Sequence, residues 1–177
     1  MTGVDLNPMA IKLAGRYGKT QIGDALALAY PADSQDMITT FDLLEHLPDD
    51  AAALREWHRV LKNGGYLMVS VPAYQWLFGP HDRALSHYRR YTRPQLVALL
   101  RQAGFTIIMS SYLFMFTFPI FVLQRLLARG LQRGTGYNPA PPMINSLLIL
   151  LGRLEAALIK SISLPFGSSV IVLARKI

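Results

Sequence analysis

The chain has 177 residues, one domain's worth, and a hydrophobic fraction of 51% excludes a disordered polymer. Eighteen Lys and Arg against eleven Asp and Glu give a formal charge of +7, a balance that favours an anionic partner such as a membrane surface, a phosphorylated substrate or nucleic acid. With no cysteine, a disulfide framework, a thiolate zinc site and a cysteine nucleophile are excluded, and the first residues lack the charged start and apolar run of a secretory signal. The expected location is the cytoplasm, with peripheral contact at the inner face of a membrane left open.

In chain order, Thr2 to Leu6 reads as a short strand ending at an acidic residue, Asp5, followed by a helix start at Asn7-Pro8. In a doubly wound sheet an acidic side chain at such a strand tip accepts hydrogen bonds from ribose hydroxyls. Thr20 to Gly23, Met37 to Phe41, Tyr66 to Val71, Phe105 to Ser110 and Ser169 to Ala174 follow as strands. Asp49 or Asp50 caps a helix carrying Leu54, Trp57 and Leu61 on one face, and Asn63-Gly64-Gly65 is expected to end it. Thr92 caps a second helix with Pro94 in its first turn and a stripe of Leu96, Leu99 and Leu100, stopped by Gly104. Strand alternating with helix predicts an α/β fold with a largely parallel sheet.

Between the last two strands lies an apolar insertion, 112–164, interrupting a main domain of 1–111 and 165–177. Its first apolar stretch, Tyr112 to Leu127, is broken by Pro119, Gln124 and Arg125, and its second, Ile144 to Ile162, carries Arg153, Glu155 and Lys160, so neither should span a bilayer. A Gly- and Pro-rich loop, Gly130 to Pro142, joins them. Leu147, Leu151, Leu154 and Leu158 at helical spacing fit a helix packed on the domain, with interfacial membrane contact as the alternative.

Asp5, Gly23-Asp24-Ala25 and Phe41-Asp42-Leu43-Leu44-Glu45-His46-Leu47-Pro48, in this order, resemble the motifs of class I S-adenosylmethionine-dependent methyltransferases of the type 11 and type 12 kind, entered at their second strand. The resemblance covers residues 1 to about 110 and the final strand. It implies a Rossmann-like fold and S-adenosylmethionine as cofactor. It also implies that Asp5 holds the ribose hydroxyls, Leu6 lies against the adenine, Asp24 accepts from the adenine amino group, the Ala25 amide faces a ring nitrogen, and Phe41 sits beside the methionine part. The alternative for Asp5 and Asp24 is capping of a helix or turn.

Asp42, Glu45 and His46 follow the third of these strands at the sheet edge where open α/β sheets bind ligands. Methyl transfer from a sulfonium is an in-line displacement that needs alignment and, for a hydroxyl acceptor, removal of a proton. Asp42 and His46 are the candidates for that task, His46 with a loop-shaping role as the alternative. The loop from Val71 to Tyr91 is too long for an idle connection, and Tyr74, Trp76, His81, His87, Tyr88 and Arg89 on it are candidates to hold the acceptor. It is similar to the His-Tyr-Arg-Arg-Tyr loop of a bacterial subgroup of the family. No metal is expected, since His81, Asp82 and His87 share a loop at a separation common by chance. Nucleic-acid binding through Tyr88, Arg89, Arg90, Tyr91 and Arg93 is the weaker alternative to an acidic substrate or headgroup phosphate.

In the family the first strand is central and its loop supplies backbone contacts to the cofactor. This sequence opens at the second strand, so Met1 is expected to be a fragment boundary or misassigned start, with unpaired edges or direct pairing of the flanking strands as the consequence. The expected activity is methyl transfer to a small-molecule, amphipathic or lipid-linked acceptor. The alternative is a non-catalytic, degenerate methyltransferase fold that docks on a membrane or partner; a Rossmann dehydrogenase is a weaker rival.

Overall fold

A computed structural model describes residues 1–128 and 141–177. The elements are β1 (Thr2–Asp5), α1 (Pro8–Ala14), β2 (Lys19–Ile22), β3 (Gln35–Phe41), α2 (Asp50–Val60), β4 (Leu61–Pro72), α3 (Pro80–Ala84), α4 (Arg93–Gln102), β5 (Phe105–Leu113), α5 (Phe118–Ala128), α6 (Pro142–Leu158) and β6 (Ser169–Lys176). Single 3-10 turns occupy Leu44–His46 and Gln75–Leu77. Every predicted strand is present. β1 and β2 form a parallel pair, and the other four strands form a sheet in the order β3-β4-β6-β5, with β3 and β4 parallel and β6 antiparallel to both its neighbours. The sheet is therefore mixed, its parallel character confined to the first four strands.

No described strand pairs with the free edges of β1 and β3. A cleft of about 590 Å3 lies between them, lined by Asp5, Asp24, Thr40 and Asp42 among others. Of the two expected arrangements, the chain adopts unpaired edges and not a direct β1–β3 ladder.

The core forms where β4 and β6 turn their alternate apolar side chains onto α2 and α4. Leu67, Val69 and Val71 of β4, Val170, Val172 and Ala174 of β6, Leu54 and Trp57 of α2, and Leu96 and Leu100 of α4 are all buried. Asp49 is the residue that caps α2, its carboxylate accepting from the Ala52 amide at 2.8 Å. Asp50, in the first turn, takes the Tyr91 hydroxyl at 2.9 Å and Arg89 at 3.0 Å instead.

α2 ends at Val60, earlier than Asn63-Gly64-Gly65 suggested. Leu61 is already extended and paired with Gln35, and the two glycines lie inside β4, Gly64 at φ +82°. Lys176 accounts for the early stop. Its ammonium reaches from the last strand to the carbonyls of His58 and Leu61, both at 2.8 Å, placing a cation at the negative end of the helix. Gly104, at φ +92°, stops α4 as expected.

α6 is the main departure. Instead of packing along its length, it leaves Ile144, Leu147, Leu148, Leu150 and Leu154 exposed, Leu147 at 54%. Its attachment is at the carboxyl end, where Glu155 is buried, its carboxylate accepting from the Phe114 and Met115 amides, and where Leu158 meets the core. α5 likewise exposes Ile120, Leu123 and Leu126. Among the described residues no helix is long and apolar enough to cross a membrane. Most of the expected Gly130 to Pro142 loop lies outside the described residues.

Candidate functional site

The carboxyl ends of β1, β2 and β3 open on the cleft between the two sheets. Asp5 ends β1, Asp24 follows β2, and Phe41 ends β3. Asp5, Leu6, Asp24, Ala25, Phe41 and Asp42 all line the cleft, so the residues expected to hold a nucleoside are together. Asp5 Oδ1 accepts from the Asn7 amide at 2.7 Å and Asp24 Oδ1 from the Leu26 amide at 2.8 Å, so each carboxylate also makes a local turn. The helix cap of α1 is Asn7 itself. Trp57 Nε1 donates to the Ala25 carbonyl at 3.0 Å and Glu56 accepts from the Leu28 amide at 2.8 Å, which fastens the 24–28 segment to α2.

A second cavity, of about 340 Å3, adjoins the first. Asp42, at φ +50°, lines both. Glu45, His46, His81, His87, Arg90 and Arg125 line the second with it. The Tyr88 amide donates to the Glu45 carbonyl at 2.8 Å, so the long loop after β4 is pinned directly on the turn after β3. The rings of His46 and His87 meet edge to face with centroids 4.4 Å apart.

Behind them Asp82 is fully buried. Its Oδ1 takes Arg90 Nε at 2.7 Å and lies 3.3 Å from His87 Nδ1; its Oδ2 accepts from the Gly79 amide at 2.8 Å and faces Arg125 at 3.4 Å. Burial alone would raise this carboxyl, but Arg90, the Gly79 amide and Arg125 outweigh it and hold Asp82 below the usual range. For Glu45 the balance is reversed: desolvation outweighs the opposing pull of its own backbone amide and of Arg90 and pushes its carboxyl up to about 7, and neither buried oxygen has a hydrogen-bond partner. Withdrawal of water also raises Asp42 against the opposing pull of His87 and His46, while burial lowers His87.

Of the loop candidates only His81 and His87 line this cavity; Tyr74, Trp76, Tyr88 and Arg89 do not. Tyr74, at φ +61°, stacks on Tyr112 with centroids 5.3 Å apart, and burial first, then Tyr112, pushes its hydroxyl up to about 12. Trp76 lies 5.9 Å from Tyr74 and is half exposed, and Tyr88 is exposed. Arg89 is already engaged, donating to Asp50 and, at 2.7 Å, to the Pro48 carbonyl, while Arg90 is buried on Asp82 and the Ala73 carbonyl. His81 is exposed at the cavity rim.

Residues 1–69 match the family model of the methyltransferase domain. Solved structures align over nearly the whole chain: a methyltransferase of Thermotoga maritima (TM-score 0.62, 18% identity, 99% of this chain and 72% of that one) and one of Methanosarcina mazei (TM-score 0.62, 18% identity, 99% and 81%). The fold is that of the class I methyltransferases. A probable S-adenosylmethionine-dependent methyltransferase of Mycobacterium tuberculosis is 35% identical over 108 residues, 58% of this chain and 39% of the relative. A ubiquinone biosynthesis O-methyltransferase of Xanthomonas oryzae is 30% identical over 125 residues, 58% of this chain and 52% of the relative. The chain thus spans about half the length, or less, of these relatives.

Within this methyltransferase fold, sequence reasoning overlooked the buried role of Asp82. Its signal was spacing: an acidic residue five positions before His87, with Arg83, Arg89 and Arg90 after it on the same loop. The orphaned Thr40 hydroxyl, buried in the cleft wall of β3, carried no signal in the sequence.

Proposed function

We propose that the chain is an S-adenosylmethionine-dependent methyltransferase domain, residues 1–111 and 165–177, with an apolar insertion at 112–164. One observation carries the reading: a nucleoside-sized cleft bearing Asp5 and Asp24 meets a second, polar cavity at Asp42. The cleft lies within the range of small-molecule sites, about 300–1,000 Å3. Its donor set suits the cofactor. Two carboxylates match ribose hydroxyls and an exocyclic amine, Leu6 and Phe41 offer exposed apolar surface, and Thr40 has an unsatisfied hydroxyl. When bound, S-adenosylmethionine supplies an electrophilic methyl group on a sulfonium.

The chain's own residues do the rest. Asp5, Leu6, Asp24, the Ala25 amide and Phe41 orient the nucleoside. Asp42, at the junction, and His46, in the second cavity, align the acceptor, Asp42 taking its proton, and Tyr74, Trp76, His81, His87, Tyr88 and Arg89 shape the acceptor side. The acceptor is amphipathic or lipid-linked, because α5, which like α6 bears an exposed apolar face, lends Phe121 to the lining of the second cavity. The same exposed helices favour one other reading, a non-catalytic module docked on a membrane surface or partner. Both place the protein in the cytoplasm, with peripheral contact at a membrane.

Calorimetry with S-adenosylhomocysteine separates the two. Binding lost in Asp5→Ala and Asp24→Ala, with the circular dichroism spectrum kept, supports the enzyme. Absence of binding by the native chain, together with salt-reversible sedimentation on anionic vesicles, supports docking.

A further inference from the structure

We propose that Glu45, His46 and His87 form a binding site for a single divalent transition-metal ion, with zinc as the best match to two imidazoles and one carboxylate. One donor atom from each residue can be chosen so that all three lie within 4.8 Å of one another. Two histidines and a carboxylate are a common ligand set for first-row divalent ions.

Three independent observations point to an ion between them. Glu45 is fully buried, yet neither carboxylate oxygen has a hydrogen-bond partner. A buried carboxylate is ordinarily paired or coordinating. His87 is oriented by a carboxylate behind it, Asp82 Oδ1 standing 3.3 Å from Nδ1, which leaves Nε2 as the available donor. Metal-bound histidines are characteristically held in this way. Asp82 is itself fixed by Arg90 and the Gly79 amide, so His87 has a rigid support. Finally, the backbone builds the cluster. Glu45 and His46 share the one turn after β3, and the Tyr88 amide bonded to the Glu45 carbonyl draws the preceding residue, His87, onto that turn.

The site differs from the histidine pair considered on the sequence. His81 stands apart at the rim, and Asp82 supports a ligand and is not one. Three protein ligands leave coordination positions free, and the cavity shared with Asp42 is where they open. The ligand class that would fill them is an oxygen donor, hydroxyl or carboxylate; that this donor is the methyl acceptor rests on the proposed function, whereas the ion itself does not.

The full chain, stripped with chelator, is titrated with cobalt(II) as a spectroscopic probe and then with zinc(II). The expected result is one equivalent of cobalt with visible ligand-field bands that zinc abolishes. Affinity should fall at least about tenfold in His87→Ala, His46→Ala and the volume-conserving Glu45→Gln, and about 10–100-fold in Asp82→Asn, as for loss of a supporting carboxylate. His58→Gln, remote from the cluster, should keep native affinity. No ligand-field spectrum in the native chain overturns the proposal, as does unchanged affinity in Glu45→Gln and His87→Ala or an equal loss in His58→Gln. None of these readouts requires S-adenosylhomocysteine to bind, so failure of the methyltransferase reading stays distinguishable.

Discussion

Asp82 Oδ1 accepts from Arg90 Nε at 2.7 Å with both side chains buried, forming an ion pair between the loop after β4 and its return to α4. Removing one member of a buried pair strands the other in a poorly solvated position, which costs about 3–5 kcal/mol. Asp82→Ala is therefore expected to lower stability by that order in urea unfolding, and Asp82→Asn by less, since an amide still accepts from the Gly79 amide.

Gly167 sits against the end of β5, where a Cβ would come within 2.0 Å of the Leu113 carbonyl oxygen and 2.7 Å of its carbon. Backbone cannot rotate aside as a side chain can. Gly167→Ala should cost at least about 1–3 kcal/mol, the range of overpacking, and lower the melting temperature more than Gly152→Ala, where nothing lies within 4 Å.

Acidification should remove the stability that His58 and then Glu56 contribute. Burial and the nearby Lys176 charge hold His58 below its ordinary 6.5, so below pH 6.5 the unfolded chain binds the extra proton first and stability falls toward the folded value. The Arg59 hydrogen bond lowers Glu56, adding stability that is present above pH 4.5 and lost below it. Glu45, raised, acts in the opposite sense between 4.5 and about 7. The difference in melting temperature between the native chain and His58→Gln, followed from pH 7.5 to 5 (roughly, bracketing the ordinary histidine range), should isolate the His58 limb.

Glu155 holds α6 to the chain after β5 by accepting from the Phe114 and Met115 amides, the latter at 2.8 Å. Glu155→Ala should free the helix and leave the core of β4, β6, α2 and α4 intact. Limited proteolysis should then cut within residues 142–158 faster, about tenfold or more for a loss near 1.4 kcal/mol, while near-ultraviolet dichroism from Trp57 stays native.

The strands were legible from apolar runs, as in β4, β5 and β6, or, for the polar Lys19–Ile22 of β2, from the glycines on either side, and Asp49, Thr92 and Gly104 marked helix ends by their side-chain chemistry or backbone freedom. The end of α2 was misread because the deciding partner, Lys176, arrives from the far end of the sequence. Periodicity at Leu147, Leu151, Leu154 and Leu158 defined a helix but not what covers it. Of the site, Asp5, Asp24 and Phe41 were readable since they end or follow strands, which brings them to one edge. The burial of Glu45 was not, because it depends on a loop some forty residues onward folding back on the turn after β3.

Asp42 lines both cavities, so one side chain borders both. Any change that an occupant of the first makes at Asp42 is a change in the wall of the second, and where that alters binding the effect is reciprocal. A cationic occupant of the cleft and its neutral product would meet that carboxylate differently, giving the domain a means of telling a charged donor from its spent form.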